Sequence, residues 1–208
     1  MSYKYRVFFL NLAKNKTPLD MNDNFKKQIA DIDDLKEIAQ ILSMSTELRE
    51  SISEYENNPY DALFVAGQSK ITMKFNKKGD TIYLLGDYTG KDLDNSATVE
   101  ITLDAIENNL LTSSHSLNEG GLFTSLIEAC SINKLGFDIT SDSEMSEKEF
   151  LFSDKNPAIL VSVSTEKEGK FVDFIYKNGI KITLLGHVTK RELRMDDISF
   201  GYISDYID

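Results

Sequence analysis

Near the C-terminus two β-type runs bracket one amphipathic helix, and few folds accommodate that order. Residues 159–163 (Ile-Leu-Val-Ser-Val) read as a buried strand. Phe171, Phe174 and Ile175 then share one helix face, Gly179 is placed to end that helix, and residues 180–188 return as a strand. A strand–helix–strand sequence of this length predicts a βαβ crossover of right hand. Thr165 and Glu168 have the spacing of a capping box at the start of the helix. Beyond it, residues 192–195, an Asp196-Asp197 turn and residues 198–203 predict a closing hairpin.

Upstream, the elements alternate irregularly. Leu35, Ile38, Ala39 and Leu42 fall at helical spacing within 33–43, and residues 45–57 form a second, more polar helical stretch before Asn58-Pro59. Short β-type runs occupy 5–12, 62–66, 71–75, 81–86 and 137–140. Val99, Leu103, Ile106 and Leu110 define another helix face. A helix following Gly120-Gly121 carries Leu122, Phe123, Leu126, Ile127 and Cys130, with Gly136 placed to end it. Ser146 and Glu149 make a second capping-box pair before an apolar run. Mixed elements in this order predict the α+β class, a mixed sheet with packed helices. Residues 1–60 carry no chemical motif and are expected to form an N-terminal extension to a domain spanning 61–208.

The charge balance narrows the partners. Lys and Arg number 23 against 34 Asp and Glu, a net charge of −11 spread along the chain. Nucleic acids and anionic membranes bind through basic surface, so neither is an expected partner. Cys130 is the only cysteine, which excludes an intrachain disulfide and a thiolate-rich metal site, and its place in an apolar helical pattern makes it a core residue. There is no run of about 18 apolar residues, and the first residues lack a signal-peptide layout. A cytoplasmic location is expected.

The segment from Ser113 to Thr124 carries the most chemistry. A histidine, a short polar stretch and a Gly-Gly pair lead into the start of a helix, whose free N–H groups can bind an anion. The same glycines can equally serve the backbone angles of the turn, and Glu119 sets a carboxylate where a phosphate would sit.

Four segments together resemble the C-terminal domain of the AIR-synthase-related superfamily. They are Gly79-Asp80-Thr81-Ile82-Tyr83-Leu84-Leu85-Gly86, His115 to Leu122, Leu135-Gly136-Phe137-Asp138-Ile139, and Leu184-Leu185-Gly186-His187-Val188-Thr189. They are similar to the family's GD-x-I-x-L-x-G strand, its H-D-x-S-[DE]-G-G-L turn, the strand that follows, and its closing IG-x-V segment. Within the superfamily the phosphoribosylformylglycinamidine synthase branch is most similar. It comprises ATP-dependent ligases that convert a formylglycinamide ribonucleotide to its amidine with ammonia from glutamine.

The resemblance implies that the chain supplies one C-terminal half. It carries neither the acidic metal-binding motifs of the ATP half nor a glutaminase nucleophile. ATP and Mg are therefore expected only in the complete enzyme, with no cofactor in this chain. The implied partners are an ATP-binding half or a second copy of the fold, and a ribonucleotide substrate. The implied substrate-binding residues are His115, Asn118, Glu119, Gly120, Gly121 and Asp154.

Three positions depart from the family pattern, and at one of them Asn118 replaces the usual serine. Ser116 stands where the family has a metal-ligating aspartate, so no metal ligand is expected here. Ala158 stands where a substrate-holding loop ends in arginine. His115 reads either as a polar contact to substrate or a neighbouring domain, or as a surface turn residue. His187 reads as a structural strand residue, and Lys190, Arg191 and Arg194 as a solvated hairpin rim. Two alternatives stand beside the first reading: a non-catalytic interaction module that kept the fold, and another branch of the superfamily.

Overall fold

The computed structural model describes residues 26–57, 71–88, 95–117, 120–142, 144–153 and 158–207. The strands expected at 5–12 and 62–66 lie outside them. Two helices come first, α1 (Leu35–Ser43) and α2 (Thr46–Asn57), followed by β1 (Thr81–Leu85), α3 (Ser96–Glu107), β2 (Ser113–Ser116) and α4 (Gly121–Ser131). Then come β3 (Gly136–Ile139), the short α5 (Glu147–Phe152), β4 (Ile159–Val163), α6 (Glu168–Lys177), β5 (Ile182–Thr189), β6 (Glu192–Met195) and β7 (Ile198–Tyr202). This is the α+β architecture read from the sequence.

The strands form one seven-stranded mixed sheet in the order β2-β4-β1-β5-β3-β6-β7. β4 and β5 each pair antiparallel with β1, so they run parallel to each other with β1 between them. The βαβ unit predicted from sequence is present, but split by an earlier strand. β3 and β6 make the only parallel pair among the named strands described, and β6 and β7 form the predicted hairpin.

Alternation along β1 divides the interior. Ile82 and Leu84 enter one apolar cluster, and Tyr83 and Leu85 enter the other. The first cluster holds α4 and α5 against one sheet face, with Phe123 ringed by Phe137, Phe152, Phe200 and Tyr206. Ile38 and Leu42 of α1 and Leu48 and Ile52 of α2 belong to this same cluster. The second cluster packs Val99, Ala105 and Ile106 of α3 and Phe171 and Ile175 of α6 on the other face.

Local chemistry sets the boundaries. Asp34 caps α1 by accepting from Lys36 N at 2.9 Å, and Ser146 caps α5 by accepting from Glu149 N at 3.2 Å. Gly179 follows α6 with φ of 69°, as its placement predicts.

Four local expectations are corrected. Residues 71–75 contribute one bridge, Thr72 to Ser113, rather than a strand. The reason is that Phe75 N donates to Ala129 O at 2.7 Å, one of the carbonyls left open in the last turn of α4. Gly136 does not end α4. The helix stops at Ser131, Lys134 takes the left-handed turn (φ 50°), and Gly136 opens β3, where a Cβ would collide with Glu192 O. Thr165 does not cap α6, which starts after Lys167 with no side-chain cap, because Glu168 is engaged by Tyr83. In α3 the buried face is Thr98, Val99, Thr102, Ala105 and Ile106, and Leu110 lies past the helix end.

Candidate functional site

The ends of β2 and β4 meet the start of α4 at one end of the sheet. β2 pairs antiparallel with β4, setting Ser116 opposite Ile159. One residue further on, Leu117 N donates to Ala158 O at 3.3 Å. Leu117 and Ala158, far apart in sequence, are thus backbone neighbours. Gly121 strengthens this junction. It has φ of 75°, and a Cβ there would lie 2.8 Å from Leu151 O and 2.9 Å from Ser153 O. Its missing side chain is what lets the start of α4 pack on the end of α5.

His115 occupies strand β2 rather than a turn, and it is 1% exposed. Its position opposite Leu160 directs it to the face that carries α4. There His115 Nε2 lies 2.9 Å from Glu128 Oε2, and Nδ1 lies 2.6 Å from Ser116 O. Glu128 is itself 2% exposed and also accepts a hydrogen bond from Ser51 Oγ of α2. A buried carboxylate needs partners of this kind, and Glu128 has one for each oxygen. Sequence reading missed Glu128, although it is the lone acidic residue in a run whose every position is buried.

Gly120 is buried next to Thr124, whose hydroxyl donates to Gly120 O at 3.0 Å. Asn118, Glu119 and Asp154 lie outside the described residues. The structure thus sets Gly120 and Gly121 at the start of α4 and turns His115 to Glu128, about two helical turns further along that helix.

A second polar chain crosses the sheet beside it. Asp80, 3% exposed, accepts from Thr112 Oγ1 at 2.9 Å. Thr112 and Ser113 in turn contact Ser162 Oγ at 2.8 and 2.5 Å. Burial pushes the Asp80 carboxyl above its ordinary value, against the opposing effects of the Thr112 hydroxyl and Lys77. Cys130 is buried and unpaired by disulfide, and burial raises its thiol well above the ordinary value. That suits a core residue and not a nucleophile. His187 is exposed on β5, close to Leu184, which is 57% exposed.

Among the described residues no three His, Cys, Asp or Glu side chains gather to hold a metal ion, and no helix is long and apolar enough to cross a membrane.

Comparison with known proteins gives a consistent result. The family described as AIR synthase related protein, C-terminal domain, matches residues 90–197. Phosphoribosylformylglycinamidine synthase subunit PurL of Carboxydothermus hydrogenoformans is 32% identical over 144 residues, covering 59% of this chain and 20% of that protein. Among solved structures, T. maritima PurL complexed with ATP superposes with a TM-score of 0.58 at 14% identity, over 67% of this chain and 27% of that one. T. maritima PurL complexed with FGAR gives 0.57 at 15% identity, over 66% and 29%. These superpositions carry the fold. The chain spans about a fifth of the length of the first of these relatives.

Proposed function

This chain belongs to the AIR synthase related protein, C-terminal domain, family, and from that membership we propose that it acts as the C-terminal half of a phosphoribosylformylglycinamidine synthase. In that role it forms one wall of a ribonucleotide cleft in purine biosynthesis, in the cytoplasm, and does not catalyse the ligation alone. The observation that carries this reading is the junction of β2, β4 and α4. Leu117 against Ala158, and Gly121 against Leu151 and Ser153, are contacts of the residues that flank the two segments expected to touch substrate, and they support this reading.

The donor set at this junction does not suit a magnesium ion. Ser116 offers a neutral oxygen where a hard divalent cation calls for carboxylate, and the other described side chain there, His115, is turned into the core. ATP and magnesium are accordingly assigned to the partner, an ATP-binding half or a second copy of the fold. What this chain contributes is shape, backbone donors and the acidic groups of Glu119 and Asp154.

A second reading has its own support. Ser116 and Ala158, the two positions lacking the family's charged groups, lie on adjacent strand ends joined through Leu117. A site stripped of acid and guanidinium in one spot suits a non-catalytic module that docks to a synthase. Calorimetry with formylglycinamide ribonucleotide, on the chain alone and with an ATP-binding half, separates the two. Heat in either setting is expected from the first reading. No heat in both, together with recovery of a synthase subunit in a pull-down, would establish the second.

A further inference from the structure

We propose that Glu128 is a positioning residue, a clamp that fixes the end of β2 at Ser116 and Leu117 and that recruits the N-terminal helix α2 to that task. The clamp stands on geometry; only its purpose rests on the ribonucleotide reading above. Glu128 lies on α4 two helical turns beyond Gly121, so its bond to His115 braces the start of α4 against the end of β2. Ser51 donates to the other carboxylate oxygen from α2, outside the region matched by the family. Three elements are therefore held by one buried side chain.

The proton inventory follows from the partners. Ser116 O can only accept, so His115 Nδ1 carries a proton. The contact from Nε2 to Glu128 Oε2 then holds a single further proton, on the ring or on the carboxyl. With both ring nitrogens engaged the imidazole cannot turn. Its Nδ1–H fixes the carbonyl of Ser116, the last residue of β2, and Leu117 is delivered to Ala158 O. A glutamine at 128 can reproduce this arrangement, its amide N–H donating to Nε2 and its oxygen accepting from Ser51. An alanine cannot.

Nitrogen-15 NMR of the histidine side chains in the full chain tests this, and only His187, exposed on β5, shares the spectrum. Wild type and Glu128→Gln are expected to keep a slowly exchanging proton on His115 Nδ1. In Glu128→Gln the Nε2 resonance should move to the unprotonated position, and Ser51→Ala should shift Nε2 while Nδ1 keeps its proton. A residue that merely filled space would leave these resonances alone. Amide exchange over 114–117 and 120–121 should be roughly tenfold faster in Glu128→Ala and unchanged in Glu128→Gln. Formylglycinamide ribonucleotide binding, followed by calorimetry, should be lost in the alanine variant and kept in the glutamine variant.

A deprotonated Nδ1 in wild type, or a Ser51→Ala spectrum identical to wild type, would overturn the clamp. So would amide exchange in Glu128→Gln as fast as in Glu128→Ala. If Glu128→Ala fails to fold, the Glu128→Gln and Ser51→Ala spectra decide alone. Wild type that binds no ribonucleotide but shows the expected resonances would overturn the proposed function and leave the clamp standing.

Discussion

The Tyr83 hydroxyl donates to Glu168 Oε1 at 2.7 Å, tying the central strand β1 to the first turn of α6. The Tyr83 ring also packs on Phe171, with centroids 5.4 Å apart. Burial and the Glu168 carboxylate both hold the phenol well above its ordinary value, so it stays a donor at all ordinary pH. Tyr83→Phe keeps the ring and removes the bond. It is expected to lower stability by about 1.5–3 kcal/mol, the usual worth of a hydrogen bond to a charged acceptor. Urea midpoints of Tyr83→Phe, Glu168→Gln and the double variant should show coupling rather than simple addition.

Gly121 and Gly179 offer a matched pair. Both have left-handed φ, 75° and 69°, but nothing lies near a Cβ at Gly179, whereas backbone atoms crowd one at Gly121. Gly179→Ala should cost about 1 kcal/mol, the conformational penalty alone. Gly121→Ala should cost roughly 2–4 kcal/mol, because the ends of α4 and α5 must also separate. Chemical denaturation of the two variants measures the difference directly.

Leu42 of α1 is fully buried in the cluster shared with the sheet. Leu42→Ala should lower the stability of the whole chain by about 2–5 kcal/mol within one cooperative transition. A separate early transition, seen by circular dichroism or hydrogen exchange over 26–57, would instead show that these helices unfold apart from the sheet.

Asp80 has a pH signature of defined sign. Its folded carboxyl binds a proton more tightly than the unfolded one, whose ordinary value is 3.8. Its contribution to folding is therefore fully present below that value and lost as pH rises through the raised folded value. Asp80→Asn can still accept from Thr112 and carries no charge to bury. The variant should match or exceed wild-type stability at neutral pH and show a shallower pH dependence just above 3.8. Urea midpoints between acid and neutral pH provide the comparison.

Cys130 should resist aqueous thiol reagents in the folded chain, since it is both fully buried and held in the thiol form. Modification by a disulfide reagent is expected to be slower by roughly a hundredfold or more than in denaturant, limited by opening of the core.

What could be read from the residues was mostly what is local. Periodicity located α1, α2 and β4, and the Ser146–Glu149 spacing located the start of α5, because each reports on its own few residues. The insertion of β1 between β4 and β5 left no local mark, since its partners are far downstream at Val163 and His187. Gly136 looked like a helix stop because glycine serves two needs, and close approach to Glu192 O was the one that applied. The site divided in the same way. The Gly-Gly turn was legible as a motif. The burial of His115 was not, because it depends on Glu128 and Ser51 arriving from other elements.

The place of β1 in the sheet also bears on how the chain acquires its shape. The strand emerges from the ribosome well before either neighbour exists, so it stays an unpaired apolar segment while the following residues are synthesised. Pairing at such separation makes folding slow compared with a helical bundle of similar size, and exposes two sticky edges in the interim. Both edges are sealed only when α6 has carried the chain from β4 across to β5. Until residues 159–189 are in place the chain carries an aggregation-prone edge that is set by the topology rather than by any side chain.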